Sequence, residues 1–134
     1  KYFGNHFWLM FDEDKLIAFV DGFVTDEANL TDEMYENASM HNENGAWQMI
    51  FGVNTLPEYR RCGYAKELIK KAILDAREQN RRGLVLTCKE SLVPYYSKFG
   101  FIDEGITDKS THGNVLWYQM RLDFELRNNG VKQI

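Results

Sequence analysis

Residues 48–68 read QMIFGVNTLPEYRRCGYAKEL, and the order of residue types in this stretch decides the fold. Its first part belongs to an apolar, strand-like run from Ala46 to Thr55, interrupted by Gly52. Its last part opens a helix. Leu68, Ile69, Ala72, Ile73 and Ala76 recur along one helical stripe, with Lys66, Glu67, Lys70, Lys71, Asp75 and Glu78 around them, so the spacing predicts an amphipathic helix from Tyr64 to near Asn80. Between strand and helix lies Tyr59-Arg60-Arg61-Cys62-Gly63. A strand that feeds a glycine-bearing turn at a helix start points several unbonded backbone N–H groups in one direction. The helix dipole adds partial positive charge at the same end, which suits a phosphate or pyrophosphate. Gly63 and the small Ala65 let a ligand approach the backbone, and Arg60, Arg61 and Lys66 add charge. A plain strand–helix turn with solvated arginines has the same composition, so this motif alone leaves both readings open.

Upstream, His6 to Phe11 and Lys15 to Thr25 flank the turn Asp12-Glu13-Asp14 and read as an antiparallel hairpin. Asn29 to Met40 is expected to hold a short helix capped by Thr31, with Glu33 and Glu36 near its start. Downstream, Gly83 leads into Leu84-Val85-Leu86-Thr87-Cys88, a run apolar on both faces that suits a central strand covered by helices on each side. Ser91 is placed to cap a short helix with Pro94 in its first turn, closed by Gly100. Phe101 to Ile106 and Asn114 to Phe124 complete an antiparallel pair. Strands, a helix, a strand, a helix and two strands make a mixed α/β sheet.

Length and composition bound the function classes. The 134 residues are one domain's worth of chain, with 44% hydrophobic and 27% charged residues, an ordinary globular balance. A net charge of −4 argues against a general nucleic-acid binder, which needs a basic face. No apolar run reaches the length of a membrane span, and the first residues lack a signal-peptide pattern. Two cysteines, Cys62 and Cys88, are too few for a disulfide scaffold and form no metal-ligand cluster, so no metal and a cytoplasmic setting are expected. The net charge hides a split: residues 1–45 carry ten acids against Lys1 and Lys15, a balance of −8, and residues 46–134 carry ten acids against fourteen bases, a balance of +4. Either ligands of opposite sign meet the two parts, or the charge is scattered over a solvated surface.

The pattern Arg-x-x-Gly-x-Ala at residues 60–65 resembles the acetyl-CoA pyrophosphate turn of the GNAT superfamily of N-acetyltransferases. Met49-Ile50-Phe51-Gly52-Val53-Asn54 resembles the family's bulged fourth strand, with Gly52 as the bulge residue, and the run Ser91 to Phe101 resembles its signature before strand six. Leu86-Thr87-Cys88-Lys89-Glu90 and Val93-Pro94-Tyr95-Tyr96 are most similar to the arylalkylamine, or serotonin-type, branch. The likeness spans residues 7–124 of one acetyltransferase domain over 1–134, with residues 125–134 as a tail. It implies a mixed, mostly antiparallel sheet whose fourth and fifth strands splay apart, here without the family's opening strand and helices.

The resemblance also implies a reaction. Acetyl transfer to an amine needs a neutral amine, a stabilised oxyanion and a protonated leaving thiolate. It assigns acetyl-CoA to Phe51, Gly52, Val53, Asn54, Thr55, Arg60, Arg61, Cys62, Gly63, Tyr64, Ala65 and Lys66, the oxyanion to the N–H of Val53, and the acid role to Tyr96 by its place in Pro-x-Tyr-x-x-Phe-Gly-Phe. A packed core aromatic is the structural alternative for Tyr96. The serotonin-type enzymes carry two histidines on strand four, and Met49 and Phe51 stand there instead. His6, His41 and His112 are expected at the surface, which leaves Asp21, Glu33 or Glu36 as carboxylates able to act through water. Cys88 is expected to pack and Cys62 to offer its backbone N–H. Three functions follow: an acetyltransferase acting on a small primary amine, a silent acyl-CoA-binding module, or an enzyme that acetylates a protein N-terminus or lysine. The acidic segment Ala28–Asn44 is the expected acceptor side, and the last strand and tail offer a surface for a homodimer.

Overall fold

The computed structural model describes residues 6–35, 40–107 and 116–125. The hairpin expected upstream is β1 (Phe7–Asp12) and β2 (Lys15–Thr25). β3 (Trp47–Thr55) and β4 (Gly83–Cys88) follow, joined by helix α1 (Tyr64–Glu78). Helix α2 (Val93–Ser97) leads to β5 (Ile102–Ile106) and β6 (Tyr118–Asp123). The six strands form one sheet in the order β1-β2-β3-β4-β6-β5, in which only β3 and β4 run parallel.

The helical stripe read from the sequence is the buried face of α1: Leu68, Ile69, Ala72 and Ala76 pack with Ala18, Val20, Ile50, Leu84, Leu86, Met120 and Leu122 on one face of the sheet. Burying each large aliphatic side chain there contributes about 1.5–3 kcal/mol relative to exposure. β1 is tied to the same helix by a hydrogen bond, since the indole Nε1 of buried Trp8 donates to Asp75 Oδ2 at 2.8 Å. The opposite face carries a second core of Phe23, Leu30, Met34, Trp47, Met49 and Val85. β4 is therefore covered on both faces, as its apolar run requires. One cover is α1; the other is the segment around Leu30 and Met34 rather than a helix. Among the described residues one long helix covers one face of the sheet, and the other face is packed by the chain around Leu30 and Met34.

Three local expectations fail for definable reasons. Among the described residues after Asn29, Asp32–Tyr35 is a 3₁₀ turn rather than the start of an α-helix, and Thr31 contributes its carbonyl to Met34 N–H while its buried hydroxyl has no partner among the described residues. Glu36 lies outside the described residues, as do residues 114–115 of the expected last strand and residues 126–134. Ser91 sits inside a 3₁₀ turn, Glu90–Leu92, so the residue before α2 is Leu92 and no side chain caps that helix. Pro94 in its first turn and Gly100, at φ 102°, hold the helix ends as read.

His6, expected at the surface, is fully buried. The Gln48 side-chain amide donates to the carbonyls of Phe23 and Met49, which leaves Gln48 Oε1 to accept from His6 Nδ1–H at 2.7 Å. His6 Nε2 faces Glu43, and His41 Nε2 lies 3.0 Å from the same carboxylate. Burial holds His6 below the ordinary imidazole range, against the upward pull of Gln48 and Glu43. An imidazole whose folded-state value is depressed loses stability as pH falls through the unfolded value near 6.5. Thermal denaturation is expected to show a lower melting temperature at pH 5.5 than at 7.5, and His6→Gln to flatten that dependence. In the same assay Trp8→Phe should cost about 1–2 kcal/mol through the lost bond to Asp75.

Candidate functional site

β3 and β4 pair only from Trp47 with Gly83 to Ile50 with Leu86. Beyond that point β3 keeps β2 on one side, β4 keeps β6 on the other, and a wedge opens between them. The departure coincides with a bulge. Asp21 pairs with Gly52 while Gly22 pairs with Ile50, so Phe51 is the extra residue, one place before the glycine that the sequence marked. Close contact explains both glycines: a Cβ on Gly22 would stand 1.7 Å from the carbonyl oxygen of Met49, and one on Gly52 would stand 2.6 Å from Asp21 Oδ1.

The chain leaves β3 through a 3₁₀ turn at Pro57–Tyr59 and reaches α1 through Arg61, at φ 65°, and Gly63, at φ 85°. Gly63 is the residue before the helix; no side chain caps it, so the first-turn amides point outward unclaimed by a cap. Nothing lies within 4 Å of where a Gly63 Cβ would be, which leaves the approach to these amides open. The Arg60 Nε donates to the carbonyl of Thr55 at 3.1 Å and so fastens the turn to the end of β3.

These parts meet in a cleft of about 500 Å³ lined by Val53, Asn54 and Thr55 of β3, by Arg60 and Arg61 of the turn, by Gly63 to Lys66 at the start of α1, and by Tyr95 and Tyr96 of α2; Cys62 is not part of the lining. The structure thus brings Tyr96, expected as the acid, to the cleft that Val53 lines, 43 positions earlier in the chain. Phe51 and Gly52 lie at the bulge just inside the wedge. The exposed Cys62 directs its Sγ toward the carbonyl of Arg60 at 3.7 Å. The Tyr96 ring packs edge-on against Tyr95 at 5.1 Å and Phe101 at 6.1 Å. It is thus both a core aromatic and a wall of the cleft. Its phenol makes no hydrogen bond among the described residues, and burial, with Tyr95 and Cys88 nearby, raises its pKa well above the ordinary tyrosine range. Burial also pushes the Cys88 thiol up to about 11, and its Sγ rests 3.7 Å from Met120 Sδ, as a packed cysteine.

Other groupings are accounted for by structure. His6, His41 and Glu43, whose joint presence sequence spacing does not reveal, bring three ligand-type atoms within 4.8 Å. His41 Nδ1 accepts from Val24 N–H, however, which puts the ring proton on Nε2 toward Glu43. His41 is thus hydrogen-bonded to Glu43, while His6 is held through Nδ1 by Gln48 and turns Nε2 toward the same carboxylate. His112 lies outside the described residues. A broader cavity of about 660 Å³ lies at the far end of α1, where Arg81 is held by the carbonyls of Glu43 and Gly45 and Arg82 by Asp123 and Glu125. Of the carboxylates expected to act through water, Glu33 is exposed and Glu36 is outside the described residues, while Asp21 sits at the bulge.

The sequence profile described as the Acetyltransferase (GNAT) family matches residues 1–101. The chain is 31% identical over 93 residues to serotonin N-acetyltransferase of Mesocricetus auratus, an alignment that spans 68% of this chain and 43% of that protein. Among solved structures, it is similar to the loading GNATL domain of CurA from Lyngbya majuscula, with a TM-score of 0.73, 15% identity, and coverage of 90% of this chain and 77% of that one. A GNAT family acetyltransferase from Brucella melitensis in complex with acetyl-CoA aligns with a TM-score of 0.55 and 17% identity, over 87% of this chain and 56% of that one.

The turn offers a direct test. Gly63→Ala forces an L-residue into the left-handed region at about 1–2 kcal/mol, whereas Gly63→Asn adopts it more readily. Both add side-chain atoms to the open space through which a ligand approaches the first-turn amides. Calorimetric titration with CoA is expected to show roughly tenfold weaker binding for both, a ratio set by about 1.4 kcal/mol, with Asn the more stable in thermal denaturation.

Proposed function

The chain belongs to the GNAT family of acetyltransferases, and on that footing we propose that it transfers an acetyl group from acetyl-CoA to a primary amine by direct attack. The observation that carries this reading is the cleft in which the uncapped start of α1, the unpaired edge of β3 and the phenol of Tyr96 come together. The pyrophosphate lies on the amides of Gly63 to Lys66, with Arg60, Arg61 and Lys66 supplying charge. The pantetheine arm follows the β3 edge from Thr55 toward Phe51, occupying the wedge that β4 leaves open. The N–H of Val53 receives the oxyanion as the carbonyl carbon becomes tetrahedral.

Tyr96 protonates the departing thiolate. A thiol of ordinary pKa near 8.5 is a stronger acid than this phenol, yet the proton is transferred as negative charge develops on sulfur, and burial ensures that the phenol still carries its proton across the neutral and moderately alkaline range. The acceptor belongs to the arylalkylamine-type class in this reading, which rests on the similarity to serotonin N-acetyltransferase over 43% of that protein's length. One observation favours a second reading, a silent acyl-CoA-binding module: the strand positions where the serotonin-type enzymes carry histidines hold Met49, fully buried, and Phe51, packed against Phe23 at 4.9 Å.

A thiol-release assay with acetyl-CoA and a panel of alkyl and arylalkyl amines separates the two. Turnover with one or more amines is expected; acetyl-CoA binding without release from any of them favours the silent module. Tyr96→Phe should lower kcat by about 10²-fold or more, the scale of general acid catalysis, and leave CoA affinity nearly unchanged. An unaltered rate removes Tyr96 from the mechanism.

A further inference from the structure

Asp21 is a carboxylate whose position the packing alone does not explain. It lies in β2 between Val20, whose side chain belongs to the α1-side core, and Gly22. Strand alternation therefore turns it to the other face of the sheet, with Phe23. Its cross-strand neighbours are Phe7 on β1 and Gly52 on β3, neither of which carries charge. It is half-buried, accepts a hydrogen bond from the Gly52 N–H, and forms no ion pair among the described residues. Burial raises its pKa above the ordinary aspartate value in spite of that bond. Gly52 is without a side chain at the point where a Cβ would stand 2.6 Å from the carboxylate, so the bulge makes room for this group. Across the wedge on the same face, Thr87 of β4 has a buried hydroxyl with no partner among the described residues. Alternation places it with Val85, away from α1.

A half-buried carboxylate with no ion-pair partner among the described residues is costly, and its cost is offset when a cation is delivered to it. Resting on the acetyltransferase reading above, we propose that Asp21 is the catalytic base: it draws the protonated acceptor amine to the face of the sheet opposite α1 and takes its proton beside Val53. The Asp21–Gly52 pair is one residue from Val53 and its partner Val20, so the amine arrives within a strand spacing of the oxyanion amide.

The proton count closes. The ammonium R–NH₃⁺ gives one proton to Asp21, directly or through one water, and becomes R–NH₂. Its lone pair forms the C–N bond as the carbonyl π electrons move to oxygen, where the Val53 N–H holds them. Collapse re-forms the carbonyl and breaks the C–S bond with its electron pair on sulfur. Tyr96 gives its proton to that thiolate, and the second proton released from the amide nitrogen returns through water to the phenolate. The products are the amide, the free thiol of CoA and one proton, which Asp21 passes to solvent.

The test is Asp21→Asn, isosteric and still able to accept from the Gly52 N–H, so an unchanged melting temperature is expected; Asp21→Ser serves if the first variant unfolds. At saturating alkylamine and pH 7, kcat should fall by about 10²-fold or more, with acetyl-CoA affinity unaltered. Between about pH 6 and 9 the variant's kcat should climb with the fraction of neutral amine, whose reference pKa is near 10.4, so that its deficit narrows with pH. A loss below threefold at pH 7, or a deficit of constant size across that range, overturns the assignment of Asp21 while leaving the acetyltransferase reading intact. Absence of turnover in the unaltered protein with every amine, despite acetyl-CoA binding, overturns both.

Discussion

The parallel contact between β3 and β4 stops at Ile50 and Leu86, and the rest of the site depends on that stop. A parallel pair satisfies backbone N–H and C=O groups on both strands; ending it early leaves part of β3 with hydrogen-bonding groups turned to an open wedge. The sheet tolerates the opening because each strand retains an antiparallel partner on its outer side, β2 for β3 and β6 for β4. Hydrophobic packing then holds the wedge at a set width. Ile50, Leu84 and Leu86 sit on α1 from one face, and Met49 and Val85 sit under Leu30 and Met34 from the other.

The same opening sorts the chemistry by side. The turn and the first residues of α1, with Tyr95 and Tyr96, line the cleft. Asp21, Phe51 and Thr87 are associated with the opposite face, by alternation and by the bulge. In the proposed reaction, a thioester carbonyl at this sheet edge is met by an amide in the plane, an acid from the α2 side and an amine from the far side. The glycines at 22 and 52 are where the sheet yields: both would clash if they carried a Cβ, one with backbone and one with the Asp21 side chain. The charge split of −8 and +4 read from the chain has a physical counterpart in the arginines and lysine of the turn. Among the acids of the first third, however, Glu43 is engaged by His6, His41 and Arg81, and Asp21 is the member that stands at the bulge.

Much of the site was legible because its signals are local. The helix stripe from Leu68 to Ala76, the left-handed residue Gly63 before it and the bulge near Gly52 each arise from short-range sterics, which residue type reports directly. The resemblance over Ser91 to Phe101 singles out Tyr96, and the structure adds its setting: a buried ring among aromatics with a phenol that no described residue engages. Where local signals were weak, the reading failed. Thr31 and Ser91 have the chemistry of helix caps, but Thr31 gives its carbonyl to the 3₁₀ turn that follows it and Ser91 lies inside another. His6 looks like a surface residue at the start of a strand, and only the fold carries Gln48, 42 positions later, to its ring.

The order of strands and helices, the glycine turn with its cluster of basic residues at 60–66 and the aromatic signature around Tyr96 are written in the residues themselves, since periodicity, glycine and charge act over a few residues. Tertiary structure alone decided where β3 and β4 part, which face each carboxylate meets, and which polar groups end up paired. Those outcomes depend on strand register and on burial from elements far apart in the chain: a shift of one residue exchanges the faces of a strand, and a carboxylate's character follows from what surrounds it. Asp21 shows the difference most plainly, being one of ten acids in the first third of the chain and the one that pairs with the bulge.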